Sequence, residues 1–124
     1  MPMRGVRGAT TVNEDQAEQL LSATQELLET ILAANAGMQT DEIASVLFTV
    51  TNDISSAFPA LAARNMGWGS VPMVCAREIP VPGSLPRCIR VMLHWNTDLP
   101  QREIRHIYLR EAVKLRPDLA SHAQ

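Results

Sequence analysis

Arg7, Arg64, Arg90 and Arg116 form an excess of arginines in apolar settings in this chain. Arg90 is the sharpest case. It lies in Cys88-Ile89-Arg90-Val91-Met92-Leu93-His94-Trp95, whose β-branched and bulky residues read as an interior strand. A guanidinium cannot be neutralised in a protein, so desolvating it costs on the order of several kcal/mol unless an anion meets it. An internal carboxylate, a ligand, or an edge position in water would each satisfy Arg90, and the residues alone leave all three open. Converging arginines suit a ligand with carboxylates, because the guanidinium fork matches a carboxylate bidentately. Glu78 opens a proline-rich loop and could accept a hydrogen bond from a ligand hydroxyl. Tyr108 has an apolar body and a hydroxyl that needs a partner if buried. The set holds no nucleophile and no metal ligands. It fits binding, or a reaction that needs only positioning and charge stabilisation.

Familiar catalytic signatures are missing. There is no glycine-rich phosphate loop, no GxSxG elbow, no HExxH and no clustered Cys/His pattern. His94, His106 and His122 are not spaced as a ligand set. Cys75 and Cys88 lack CxxC spacing and read as free thiols, Cys75 as a small buried one. The chain of 124 residues fits one domain, 1–124. A net charge of −2 gives no electrostatic case for nucleic acid or an anionic membrane. No apolar run is long enough to span a bilayer. The first residues lack the apolar core of a signal peptide, so a cytoplasmic location is expected.

The elements that would position these side chains follow from pattern. Residues 3–12 read as a first strand, with Arg7 on the face of Met3, Gly5, Ala9 and Thr11. Asn13 is a natural N-cap with Gln16 at the capping-box position, and a helix runs on to about Ala34. Its apolar stripe of Ala17, Leu20, Leu21, Leu27, Leu28, Ile31 and Leu32 marks it as core-covering. Gly37 marks the exit. Residues 44–51 form an apolar central strand. Pro59 starts a short helix that ends by Gly67, with Phe58 before it and Arg64 on it. Residues 71–75 make a short strand that Pro72 suggests is an edge. Residues 76–86 hold three prolines and a glycine and form an extended loop, long for so small a domain. The strand at 88–95 alternates, with Ile89, Val91, Leu93 and Trp95 on one face and Cys88, Arg90, Met92 and His94 on the other. A last short strand at 105–109 and a helical turn at 111–115 follow. The order β-α-β-α-β-β-β predicts an α+β domain, a mixed sheet with the long helix across one face.

These residues also carry a resemblance. Arg4-Gly5-Val6-Arg7-Gly8-Ala9-Thr10-Thr11-Val12 is similar to the N-terminal signature of the AroH-type monofunctional chorismate mutases. So are Phe58-Pro59-Ala60, Val71-Pro72, Cys75 with Glu78, Cys88-Ile89-Arg90-Val91-Met92, Ile104-Arg105-His106-Ile107-Tyr108-Leu109 and Leu115-Arg116-Pro117-Asp118-Leu119. The similarity runs from Met3 to about Leu119. It implies a homotrimer whose sheets pack into a pseudo-α/β-barrel, with active sites in clefts between subunits. It implies the intramolecular Claisen rearrangement of chorismate to prephenate, with no metal and no organic cofactor. Arg90 corresponds to the cation facing the ether oxygen, Glu78 to the acid meeting the ring hydroxyl, and Arg7 and Tyr108 to groups holding a carboxylate. Phe58, Arg64, Cys75 and Leu115 match cleft-lining residues, partly from the neighbouring subunit, and the run Val74-Cys75-Ala76-Arg77-Glu78 borders the substrate. Arg116 falls in the C-terminal segment that tends to close over the site, and the tail from about 117 is expected to be mobile. Leu61 stands where some members have a lysine, and Val74 where some have threonine. The residues by themselves also admit a non-catalytic trimeric anion-binding module, or an imine deaminase on a similar scaffold.

Overall fold

The computed structural model describes residues 1–115. Five strands form one sheet: β1 (Met3–Thr11), β2 (Ile43–Val50), β3 (Met73–Arg77), β4 (Cys88–Asn96) and β5 (Ile107–Tyr108). Helix α1 (Ala17–Ala34) joins β1 to β2, and α2 (Pro59–Asn65) lies between β2 and β3. The strand order is β3-β2-β4-β1-β5. β4 is central and antiparallel to both neighbours, while β2–β3 and β1–β5 are parallel. The sheet is mixed, as the alternation of elements predicts.

Alternation along β4 sorts its two faces. Ile89, Val91, Leu93 and Trp95 are buried. They pack, with Val6, Val46 and Phe48, under the apolar stripe of α1: Leu20, Leu27, Leu28 and Ile31. Each buried side chain of this size contributes about 1.5–3 kcal/mol relative to exposure. The helix comes so close at Gly8 that a Cβ there would lie 2.8 Å from Ile31 Cδ1 and 3.1 Å from Val91 Cγ1. Only glycine leaves that space. Among the described residues no α-helix lies across the opposite face of the sheet, and the 3-10 turn Arg110–Lys114 meets it only at one side, where Ala112 packs with Ala9, Cys88 and Tyr108. There Leu47 and Val74 are exposed, along with Met3.

Two expectations need correction. Asn13 does not cap α1. The helix starts at Ala17 behind an extended Gln16 that makes no side-chain cap, because the preceding turn serves another segment. Asp15 accepts hydrogen bonds from the Ser55 and Ser56 amides at 3.0 and 3.1 Å, tying that turn to the approach to α2. The edge strand β3 begins at Met73, after Pro72, and continues to Arg77. The loop therefore starts at Glu78, whose amide donates to Val50 O at 2.9 Å. Among the described residues, no helix is long and apolar enough to cross a membrane.

Candidate active site

Register brings the chemistry together. Thr49 of β2 and Ala9 of β1 both pair with Arg90 of β4, Ala76 of β3 pairs with Thr49, and Tyr108 of β5 pairs with Ala9. Cross-strand partners share a face. Ala76, Thr49, Arg90, Ala9 and Tyr108 thus form one row across the helix-free face. The next row is Val74, Leu47, Met92 and Arg7. A cavity of about 180 Å³ lies over these rows, lined by Arg7, Leu47, Thr49, Glu78, Arg90, Met92 and Tyr108 with adjoining backbone.

Each side chain is held from below. Arg90 sits in the middle of the central strand. The start of that strand is pinned where Arg87 takes a left-handed backbone, φ 47°. Asp53 stabilises that turn by accepting the Arg87 amide at 2.9 and 3.1 Å, and Thr51 Oγ1 accepts the Cys88 amide at 3.0 Å. Arg7 is fixed through its backbone, which donates to His106 Nδ1 at 3.0 Å. Tyr108 packs with Ala9, Cys88 and Ala112, and Leu115 lies against that cluster with Leu85. Glu78 projects from the end of β3 toward β4.

The polar atoms facing the cavity are under-used. Among the described residues, Arg90 Nε is buried without a hydrogen-bond partner, and so is Tyr108 Oη. Glu78 Oε2 approaches Arg90 Nε to 3.5 Å, an ion-pair distance without hydrogen-bond geometry. The same Oε2 accepts the Thr49 hydroxyl. Among the described residues, the Arg7 guanidinium has neither an ion pair nor a hydrogen bond. Two cations and a phenol therefore border one hollow with donors to spare, and one acid stands among them. Cys88 lies beside Arg90; burial pushes its thiol up, against the pull of the Arg90 guanidinium. Among the described residues no three His, Cys, Asp or Glu side chains are grouped to hold a metal ion.

The family model for chorismate mutase type I matches residues 3–119. The chain belongs to that family. A chorismate mutase AroH from Thermus thermophilus is 60% identical over 119 residues, covering 96% of this chain and 98% of the relative. Another, from Bacillus subtilis, is 46% identical over 121 residues, covering 97% and 94%. Among solved structures, a chorismate mutase from Clostridium thermocellum superimposes with a TM-score of 0.85 at 51% identity, over 87% of this chain and 96% of that one. The activity is that of a chorismate mutase, an isomerase, and neither the anion-binding module nor the imine deaminase is needed to account for the residues.

The remaining candidates sit elsewhere on the chorismate mutase scaffold. Phe58, Cys75, Ala76 and Arg77 border a second hollow, between α2 and β3. Phe58 is 68% exposed, and Arg64 is exposed on the outer side of α2. The Arg77 guanidinium donates to the carbonyls of Thr51 and Ile54 and so braces the turn after β2. Val74 is exposed beside Leu47 and His94 on the helix-free face. Arg116 and the tail from about 117 lie outside the described residues. Thr49, Leu47 and Met92 line the cavity although the sequence reading singled out none of them. Alternation from Leu47 to Thr49 offered a signal, since a hydroxyl on an apolar central strand invites a partner.

Proposed function

We propose that the chain acts as a homotrimeric chorismate mutase that converts chorismate to prephenate, on the route to phenylalanine and tyrosine. One observation carries the site assignment: an Arg7 guanidinium, an Arg90 Nε and a Tyr108 hydroxyl that have no hydrogen-bond partner among the described residues all border one cavity. Chorismate is a flexible dianion. In the rearrangement a carbon–oxygen bond breaks as a carbon–carbon bond forms within one molecule, so no proton or covalent transfer is required. Arg7 and Tyr108 hold a carboxylate and select the chair-like conformer. Glu78 accepts the ring hydroxyl. Arg90 faces the ether oxygen, where charge grows as its bond breaks. Enzymes at the modest end of acceleration lower a barrier by about 8 kcal/mol. One preorganised donor in a water-poor site is worth about 3–4 kcal/mol of that.

What one subunit lacks supports the reading of a trimer. The cavity of about 180 Å³ is smaller than the roughly 300–1,000 Å³ of pockets that enclose a small ligand. In this reading a neighbouring subunit supplies further walls beyond the described residues. Leu47 and Val74 expose apolar surface on the helix-free face, the kind of surface that packing between subunits removes from water. Sheets of three copies packed by these faces make a pseudo-α/β-barrel. Phe58 and Arg64 of one subunit then line the cleft that holds Arg7, Glu78, Arg90 and Tyr108 of the next. The chain is read as one mutase unit that works in the cytoplasm without metal or organic cofactor.

The test is direct. Purified protein mixed with chorismate should abolish the substrate's ultraviolet absorbance at a rate proportional to enzyme and saturable in substrate. Light scattering should give the mass of three chains. A flat absorbance trace defeats the activity, and a monomer of full activity defeats the shared cleft.

A further inference from the structure

Glu78 and Arg90 pose a problem for the site as read above. An acid this close to a cation should close on it, and a closed pair would take the Nε donor away from a substrate. They do not close: the approach is 3.5 Å, and Arg90 Nε remains without a hydrogen bond. The carboxylate oxygen nearest Arg90, Oε2, is the one that accepts the Thr49 hydroxyl. Thr49 is rigidly aimed. It pairs with Arg90 on one side and with Ala76 on the other, in the interior of the sheet. Its β-branched side chain has few rotamers open to it. Glu78 is anchored at its own backbone, where its amide donates to Val50 O, the residue after Thr49.

We propose that Thr49 is a positioning residue that holds the Glu78 carboxylate off Arg90, so that the Nε donor stays open for the substrate. The inference rests on the assignment of Arg90 and Glu78 made above. The Thr49 hydroxyl acts through Oε2 and leaves Oε1 to face the substrate. Without it, Glu78 swings onto Arg90, and the guanidinium enters the reaction already paired. The ether oxygen becomes charged only as its bond breaks, so the loss falls mainly on kcat.

Thr49→Val keeps size and branching and removes only the hydroxyl. It should lower kcat about tenfold, the scale of one hydrogen bond to a charged group, with little change in KM and with the thermal midpoint and trimer mass preserved. Thr49→Ser restores the hydroxyl and should restore kcat. In a Glu78→Ala background, Thr49→Val should cost nothing further, because its target is gone. A silent Thr49→Val beside a crippled Glu78→Ala overturns the proposal and leaves the site assignment standing. Losses that multiply in the double variant also overturn it, since Thr49 would then act independently of Glu78. A Glu78→Ala enzyme of normal kcat strikes the acid's own role first, and the bracing role falls with it.

Discussion

Arg90 Nε and Glu78 Oε2 stand 3.5 Å apart with no hydrogen bond between them. The cation is therefore neutralised in charge while its Nε donor stays unbonded among the described residues, the state a site needs before an oxyanion arrives. Replacing Arg90 with alanine removes that donor and leaves the apolar face of β4 intact. Arg90→Ala should fold, with an unchanged thermal midpoint or a higher one, and should lose at least about a hundredfold in turnover. Near-normal turnover in the folded variant would remove Arg90 from the chemistry. Glu78→Ala should hurt turnover more than affinity; the reverse would make Glu78 a binding contact only.

Some of this arrangement was legible in the chain and some was not, for physical reasons. Alternation is local, so the division of β4 into a core face and a face bearing Arg90 could be read directly. The helical stripe from Leu20 to Ile31 was equally plain. Strand pairing is not local. Nothing near Thr49 announces that register sets it opposite Arg90, or that Glu78, 29 residues later, accepts its hydroxyl. The start of α1 was misread for a similar cause. Asn13 and Gln16 have capping chemistry, but Asp15 is engaged with Ser55 and Ser56, 40 and 41 residues away. Arg77 falls in the run that the resemblance sets beside the substrate, and its bonds to the Thr51 and Ile54 carbonyls depend on a turn that only the folded sheet defines.

Gly8 offers a test of how tightly the helix seats on the sheet. A methyl at this position meets Ile31 Cδ1, Val91 Cγ1 and Leu27 Cδ1 at 2.8, 3.1 and 3.2 Å, all in the core. Gly8→Ala should destabilise by about 1–3 kcal/mol, the usual cost of overpacking. The nearest clash involves a single atom, and Ile31→Val deletes that atom. Adding Ile31→Val to Gly8→Ala should therefore recover part of the loss in a urea melt, although Ile31→Val alone destabilises. Strictly additive losses would show that the core yields at Gly8 in some other way.

Asp15 makes one part of the stability depend on pH. The Ser56 side chain and the Ser55 amide hold its carboxyl below the ordinary range. A folded pKa that lies below the unfolded one stabilises above the unfolded value, about pH 3.9, and that contribution fades as pH falls through the folded value. Asp15→Asn removes the charge at every pH. The urea midpoints of wild type and Asp15→Asn should therefore differ at about pH 6 and draw together as pH falls below about 3.9, the unfolded value. A difference that stays constant through the acid range would mean that the Asp15 bonds do not depend on its charge.

Subunit mixing tests whether the cleft is shared. The proposal takes Arg90 from one subunit and Arg64 from its neighbour, so Arg90→Ala and Arg64→Ala trimers should each be impaired at every cleft. Denaturing the two together and refolding them scrambles the subunits. A cleft is intact wherever an Arg64→Ala subunit supplies Arg90 and the adjoining Arg90→Ala subunit supplies Arg64. In a closed ring drawn from an equal mixture, roughly one cleft in four meets that condition. Turnover should rise to roughly a quarter of that of refolded wild type, the fraction of intact clefts such a ring contains. Each variant refolded alone should stay impaired. If both residues belonged to a single subunit's cleft, every cleft in the mixture would still lack one of them, and mixing would recover nothing.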